Sequence, residues 1–188
     1  SKVREQPLLA VLIAAGIGLV SLGRAAAPVA FAQSAPSTKA DVIYVPPPPA
    51  VVDAMLQVAA VTERDIVYDL GSGDGRIVIT AAQKYGARGV GIEIEPRLIR
   101  EANDNAIKAH VADRVWFVNQ DLFETDLHEA TVVTLYLLPW LNRKLIPKLK
   151  AELKPGARIV AYRFDMGDWK PDQTLIVNGQ SIYVWRVP

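Results

Sequence analysis

The residues of this chain best suited to binding a ligand form a glycine-rich loop between an apolar strand and a helix. The strand ends at Asp69, and Gly71, Gly73 and Gly75 follow at alternate positions. Glycine adopts backbone angles that a Cβ forbids, and it lets the main chain approach a ligand closely. The helix that starts after Gly75 points free N–H groups into the loop. The pattern predicts a nucleotide-binding site, with a plain tight turn as the alternative.

A second acidic residue lies at the end of the next predicted strand. The apolar run 89–92 ends in Glu93. In dinucleotide-binding folds an acid at this place accepts hydrogen bonds from ribose hydroxyls. Strand, glycine loop, helix, strand and acid together form a βαβ unit suited to an adenosine-containing ligand, and we expect Glu93 to bind the ribose.

The glycine spacing separates two families of adenosine ligand. Arg76 stands where the dinucleotide pattern G-x-G-x-x-G places its third glycine. The pattern that starts at Asp69 instead resembles motif I of the class I S-adenosylmethionine-dependent methyltransferases. That resemblance implies S-adenosylmethionine as the cofactor, with its amino-acid end held by Asp69 and the glycine backbone. Nicotinamide or flavin binding is the alternative.

The same resemblance assigns a third cofactor contact. Asp121 and Leu122 follow a predicted strand that ends at Val118. Class I methyltransferases hold the adenine amino group after this strand, so Asp121 and Leu122 are expected to bind adenine. A solvated loop is the alternative interpretation of Asp121.

Composition excludes several other kinds of site. The chain has no cysteine and only two histidines, His110 and His128. Disulfides, thiolate metal sites and cysteine nucleophiles are therefore excluded, and no metal is expected. Residues 41–188 carry 17 basic and 19 acidic side chains, a balance without the electrostatic footprint of a nucleic-acid-binding protein.

The N-terminal segment differs in kind from the rest of the chain. Lys2 and Arg4 precede an uncharged, mostly apolar stretch over residues 6–23. The sequence Ala30-Phe31-Ala32 fits a signal-peptidase site. We expect residues 1–32 to be a membrane anchor that leaves the domain in the cytoplasm, or a signal peptide cleaved after Ala32. A linker over 33–43 then leads to a domain over 44–188.

Strand and helix patterns alternate along that domain. Val51, Met55 and Leu56 lie at helical spacing before the first strand, and Asn178-Gly179 is typical of a two-residue hairpin turn. The predicted helices cover 75–84, 96–109 and 140–153, and the predicted strands cover 66–70, 89–93, 114–118, 131–137, 157–163, 174–177 and 181–185. This order predicts an α/β fold: a doubly wound, mostly parallel, seven-stranded Rossmann-like sheet with a C-terminal antiparallel hairpin.

Four segments together show a closer resemblance. They are Tyr44–Pro46, Asp69–Val78, Asp121–Phe123, and the stretch from Ala157 to Phe164 that leads to Trp169–Asp172. These segments resemble the small membrane-anchored protein-lysine methyltransferases, whose mitochondrial members modify the c-subunit of ATP synthase and the adenine nucleotide translocase. The resemblance implies a lysine side chain of a membrane-associated protein as substrate, and a place for Tyr44 at the cofactor.

Methyl transfer to lysine requires an aromatic wall and a proton acceptor near the transferred group. Desolvation against such a wall lowers the pKa of the amine. Doubly wound folds bind ligands at the carboxyl ends of their strands, which favours Tyr136 after the fourth strand and Asp165 and Trp169 after the fifth as catalytic residues. Core packing of Tyr136, and a solvated turn around Asp165, are the simpler alternatives.

Two other functions fit the same sequence features. One is a small-molecule methyltransferase. The other is an exported, cofactor-free protein that uses the fold for interaction, which the signal-like N-terminus favours.

Overall fold

The computed structural model describes residues 45–188, which fold into four helices and seven strands. Tyr44 and the predicted anchor, cleavage site and linker lie outside the described residues. The elements are α1 (Pro49–Val58), β1 (Ile66–Leu70), α2 (Arg76–Tyr85), β2 (Arg88–Glu93), α3 (Pro96–Lys108), β3 (Val115–Asn119), β4 (Val132–Leu135), α4 (Pro139–Glu152), β5 (Arg158–Tyr162), β6 (Gln173–Val177) and β7 (Gln180–Arg186).

The seven strands form one sheet in the order β3-β2-β1-β4-β5-β7-β6. Strands β1 to β5 are parallel to one another, and β7 pairs antiparallel with both β5 and β6. The predicted sheet, with its C-terminal hairpin at Asn178-Gly179, is confirmed. The carboxyl ends of β1 to β5 lie along one edge, here called the carboxyl edge. The strand order reverses at β1 and β4, because β2 and β3 are added on one side of β1 and β4 and β5 on the other.

Helices cover both faces of the sheet, as a doubly wound fold requires. On one face α1 and α2 bury Met55, Leu56 and Val78 against the strands. On the other face α4 buries Leu145 and Leu149. Alternate strand residues point to these two cores, because successive side chains of a strand face opposite ways. Within residues 45–188, no helix is both long and apolar enough to cross a bilayer.

The connection between β5 and β6 contains no helix. Since β5 and β6 both pair antiparallel with β7, they run parallel, and the connection must return along the length of the sheet. Residues 163–172, here called the crossover segment, make this return over the α4 face. Met166 is wholly buried in that core, and Trp169 packs against it.

Strand β2 and helix α2 approach each other closely at Gly89. A Cβ on Gly89 would lie 2.6 Å from the Cβ of Val78, which no side-chain rotation can relieve. The run 89–92 thus alternates glycine with aliphatic residues so that α2 can lie against the sheet.

We expect Gly89→Ala to lower the free energy of unfolding by about 1–3 kcal/mol, because it overpacks the contact with α2. Urea unfolding at equilibrium measures this change. Gly156→Ala is the control, since a Cβ there meets nothing within 4 Å and strains only the backbone. A smaller loss for Gly89→Ala than for Gly156→Ala would contradict the packing argument.

Candidate active site

The glycine loop (residues 71–75) joins β1 to α2 at the carboxyl edge. Gly71, Gly73 and Gly75 have positive φ angles of 85°, 53° and 80°, the conformation that the sequence predicts. A Cβ on Gly75 would also lie 2.5 Å from the ring of Phe117. Other residue types at position 75 would therefore strain the backbone and displace Phe117, so the path of the loop requires glycine there.

Backbone hydrogen bonds fix this loop onto the end of β2. The N–H groups of Gly71 and Ser72 both donate to the carbonyl of Ile92, at 2.8 and 2.9 Å. Glu93 accepts from the N–H of Gly73 at 3.0 Å and from that of Glu95 at 2.9 Å, one on each oxygen. Each carboxylate oxygen keeps further acceptor capacity, so Glu93 can bind a hydroxyl while it supports the loop.

Asp69 lies beneath the loop with only 3% of its surface exposed. The hydroxyl of Thr134, on β4, donates to its carboxyl group at 2.8 Å. Burial, together with the neighbouring charges of Glu93 and Asp74, raises the pKa of Asp69 to about 7 despite the lowering effect of the Thr134 hydrogen bond. Thr134 itself is wholly buried and gave no signal in the sequence beyond a strand position.

Asp121 and Leu122 follow β3 at the same edge. The carboxylate of Asp121 accepts from the N–H of Phe123 at 2.9 Å, and its carbonyl accepts from the hydroxyl of Thr125 at 3.1 Å. These bonds fix a tight turn and leave Asp121 exposed, while Leu122 packs on the α4 core.

Tyr136 lies directly after β4, which ends at Leu135 rather than at the predicted residue 137. Its ring centroid is 4.7 Å from that of Tyr162, the last residue of β5. Burial raises the pKa of the Tyr162 phenol, and Tyr136 adds to this. The two rings form an aromatic pair at the carboxyl edge. Sequence reasoning found Tyr136 and missed Tyr162, which has the pattern of an ordinary strand residue.

Asp165 lies exposed at the start of the crossover segment, and a buried side chain of α4 holds this part of the chain. The amide of Asn142 donates to the carbonyl of Phe164 at 3.0 Å and to that of Asp165 at 3.4 Å. The carboxylate of Asp165 accepts from the N–H of Gly167 at 3.0 Å. Asn142, wholly buried, was not found from the sequence.

The prediction that Trp169 lies at the carboxyl edge is wrong. Its carbonyl accepts from the indole N–H of Trp185, which pairs with Ile159 near the start of β5. Lys150, close to the end of α4, lies over its ring at 4.6 Å. Because the crossover segment returns along the sheet, Trp169 lies beside the amino-terminal half of β5, apart from Tyr136 and Asp165.

Arg76, which stands where the dinucleotide pattern has its third glycine, makes side-chain contacts that a glycine cannot make. Its guanidinium contacts both carboxylate oxygens of Asp74, at 2.6 to 3.2 Å, and donates to the carbonyl of Pro47 at 2.9 Å. Arg76 thereby connects the glycine loop to residues 45–48, the segment between the predicted cofactor residue Tyr44 and α1.

Other features of the described residues lie away from this edge. One depression of about 400 Å³ lies beside Trp169, and another of similar size lies between α1 and α2. Asp126, His128 and Glu152 offer ligand atoms within 4.8 Å of one another, but Glu152 already pairs with Lys148 at 2.6 Å.

Comparison with known proteins identifies the chain. The family described as "ANTKMT methyltransferase domain" matches residues 69–173. A protein-lysine N-methyltransferase from Saccharolobus islandicus is 49% identical over 149 residues, which cover 77% of this chain and 92% of the relative. The chain belongs to the ANTKMT methyltransferase family. The mouse lysine methyltransferases of the ATP synthase c-subunit and of adenine nucleotide translocase are 38% and 39% identical, over 48% and 50% of their lengths.

Solved structures identify the cofactor of this ANTKMT-family chain. One, described as an RNA methyltransferase from Salinibacter ruber in complex with S-adenosyl-L-homocysteine, is 58% identical and superposes with a TM-score of 0.76, covering 77% of this chain and 94% of the other. The chain is therefore a class I methyltransferase that uses S-adenosylmethionine, as the glycine spacing predicts. The curated mouse relatives are about twice as long as their matched regions.

The residues of the carboxyl edge fit this cofactor. Cβ atoms on Gly71 and Gly75 would collide with Leu137 and Phe117, so only glycine gives the loop this path, and the buried hydroxyl of Ser72 has no hydrogen-bond partner among residues 45–188. Acids at the ends of β1 and β2 suit a ligand with a cationic sulfonium and amine and a ribose diol.

Asp69→Asn should change stability and cofactor binding in opposite directions. The folded protein holds a proton on Asp69 up to about pH 7, whereas the unfolded chain releases it near 3.8. Stability is therefore lost as pH rises through that window, by about 2 kcal/mol between roughly pH 5 and pH 8 relative to the variant. Urea unfolding at both values measures this.

Calorimetry on the same variant should show weaker binding of S-adenosylhomocysteine, because the ammonium group of the ligand loses a carboxylate partner. Parallel pH profiles of unfolding for the two proteins would contradict the buried-acid argument.

Glu93→Ala should weaken S-adenosylhomocysteine binding by about 1–3 kcal/mol, since the ribose loses a charged acceptor. Glu93→Gln keeps an acceptor for the Gly73 N–H and should lose less. Glu101→Ala, which removes an exposed acid of α3, is the control. Titration calorimetry measures all three, and unchanged affinity in Glu93→Ala would mean that this acid only supports the loop.

Proposed function

We propose that this methyltransferase acts on the side-chain nitrogen of a lysine in a membrane-associated protein. The observation that carries the lysine assignment is the protein-lysine N-methyltransferase of Saccharolobus islandicus, which aligns with this chain over 92% of its own length. The names of the mouse relatives, lysine methyltransferases of the ATP synthase c-subunit and of adenine nucleotide translocase, support a membrane-associated substrate.

The bound cofactor supplies an electrophilic methyl group, and in this proposal the residues of the carboxyl edge hold it. Asp69 and the glycine loop bind its amino-acid end. Glu93 binds the ribose. Asp121 and Leu122 bind the adenine, with Tyr44 nearby.

On the substrate side, Tyr136 and its partner Tyr162 form the wall that surrounds the lysine side chain. An ammonium group placed against these rings loses hydration, which lowers its pKa and favours the neutral amine that reacts. Asp165, exposed and held by Asn142 through the main chain, is the candidate acceptor for the departing proton. Trp169 has no part in this assignment, because it lies beside the other half of β5.

The proposal includes a membrane anchor over residues 6–23 with the domain on the cytoplasmic side, where S-adenosylmethionine is made. Cleavage after Ala32 and export is the alternative. A reporter fused after Pro188, together with mass spectrometry of the N-terminus, separates the two. Recovery of a chain that begins at Gln33 outside the cytoplasm would reject the anchor.

RNA methylation is the second candidate, because the Salinibacter relative is described as an RNA methyltransferase. The balance of 17 basic and 19 acidic residues over 41–188 weighs against an RNA-binding surface of the usual kind. A labelling experiment with a radioactive or isotopic methyl donor distinguishes a lysine substrate from an RNA substrate.

Purified full-length protein should label a protein band when it is incubated with a labelled methyl donor and membranes from a strain that lacks it. The label should be recovered as methyl-lysine after acid hydrolysis. Label in RNA would favour the second candidate, and label only in small molecules would favour a metabolite methyltransferase. Tight cofactor binding without any transfer would instead favour a non-enzymatic interaction module.

Asp165→Ala and Tyr136→Ala should lower the rate of lysine methylation by about tenfold or more, with cofactor affinity nearly unchanged, because contacts with the reacting amine act on the chemical step. Asp168→Ala, which removes another exposed acid of the crossover segment, is the matched control. Equal losses for Asp165→Ala and Asp168→Ala would remove Asp165 from the site.

A further inference from the structure

Helix α4 carries a concentration of positive charge that the rest of the domain does not share. Residues 139–154 contain five basic side chains, Arg143, Lys144, Lys148, Lys150 and Lys154, and one acid, Glu152. The remainder of residues 41–188 has 12 basic and 18 acidic side chains. A segregation of this size orients a protein in an electrostatic field.

Most of these cations are not neutralised by neighbouring acids. Lys148 pairs with Glu152 at 2.6 Å. Lys144 instead lies over the ring of Phe123 at 4.3 Å, and Lys150 lies over that of Trp169 at 4.6 Å. Within residues 45–188 neither of them, nor Arg143, has a carboxylate within ion-pair distance. Ring contacts hold the ammonium groups in place without cancelling their charge.

The outer face of α4 also has an apolar line between its cations. This line consists of three exposed residues, Trp140, Pro147 and Ala151. Their spacing of seven and then four residues places them along one side of the helix. Arg143 and Lys150 lie on one flank of this line, and Lys144 and Lys148 on the other. Trp140 is 51% exposed, and Leu138 beside it is 37% exposed.

A convex helix face with apolar residues along its centre and basic residues on both flanks matches the surface of an anionic bilayer. Aromatic and aliphatic groups enter the headgroup region, and the flanking cations contact lipid phosphates. A single-stranded nucleic acid typically follows a concave basic groove instead. The helix starts at the carboxyl edge, directly after β4, so docking along α4 brings one side of this edge to the membrane surface, while the Tyr136–Tyr162 pair packs on the α1 and α2 side of the sheet.

We infer that the outer face of α4 is a docking surface for a membrane that contains anionic lipids. This surface fixes the orientation of the carboxyl edge, and with it the active site, relative to the bilayer. The inference deepens the proposed function by adding a lipid contact, but it stands on charge and exposure alone and does not require methyl transfer to lysine.

The absence of cysteine allows a direct test in the full-length protein. A single cysteine replaces Ala151 on the apolar line, or Ile107 at the exposed end of α3 on the opposite face of the sheet, and carries an environment-sensitive fluorophore. The labelled proteins are mixed with phosphatidylcholine vesicles, with or without phosphatidylglycerol. Because every protein keeps residues 1–44, vesicle attachment through that segment is common to all samples.

We expect the fluorophore at position 151 to shift to the blue with phosphatidylglycerol vesicles only, and the fluorophore at position 107 to shift with neither. Replacing Arg143, Lys150 and Lys154 by glutamine should abolish the shift. The charge-conserving triple variant Arg143→Lys, Lys150→Arg and Lys154→Arg should retain it. Thermal unfolding of both triple variants checks that the domain still folds.

Three results would overturn the inference. One is no shift at position 151 with anionic vesicles. Another is a shift that persists in the glutamine variant. The third is a shift produced by polyuridylate but not by vesicles, which would assign the surface to nucleic acid. Since these readouts are optical, a failure of lysine methylation in the labelling experiment leaves them unaffected.

Discussion

The attachment of the glycine loop to the end of β2 is the constraint on which the site depends. The loop has no side chains to fix its path at its three glycines, so two N–H groups share the carbonyl of Ile92 and a third donates to Glu93. This arrangement places the acid that is suited to a ribose in direct contact with the loop. In the proposed ribose contact, Glu93 connects cofactor binding to the pairing of β1 with β2.

Two buried aspartates near the two ends of β1 show how position decides the role of a carboxyl group. Asp65 precedes the strand, and although burial acts against it, hydrogen bonds from Thr131, Thr62 and Arg158 hold its pKa below the usual value. Asp69 lies within the strand and has Thr134 but no cation within ion-pair distance among the described residues, so burial dominates and raises its pKa to about 7. The first acid is satisfied inside the protein and stabilises the fold. The second has no such cation among the described residues, which agrees with its proposed role as the partner of a positively charged ligand.

Local pattern was sufficient for the parts of the site that are built from consecutive residues. Apolar runs and glycine spacing predicted the βαβ unit, and the hairpin followed from Asn178-Gly179. The contacts that sequence reasoning missed join distant positions: Thr134 meets Asp69 across 65 residues, and Asn142 holds the chain at Phe164. Neither residue is unusual in its own segment. The position of Trp169 could not be predicted for a related reason. Its segment has the pattern of a loop at the end of a strand. Because β5 and β6 run parallel, however, the chain between them returns along the sheet and carries Trp169 away from the carboxyl edge.

The charges around the loop give a separate argument for the cofactor. Asp69, Asp74 and Glu93 lie close enough for the last two to raise the pKa of the first. A pyrophosphate placed on this helix N-terminus would meet three acids, whose repulsion would oppose the attraction of the backbone N–H groups. Arg76 contacts Asp74 through two of its nitrogens, so its charge compensates one of the three. Glu93, together with Asp69 once it has released its proton, is complementary to a sulfonium and an ammonium group. The arginine at position 76, where the dinucleotide pattern has glycine, therefore has a physical explanation. It stabilises a loop that contains several acids, and such a loop favours a cationic cofactor over a pyrophosphate.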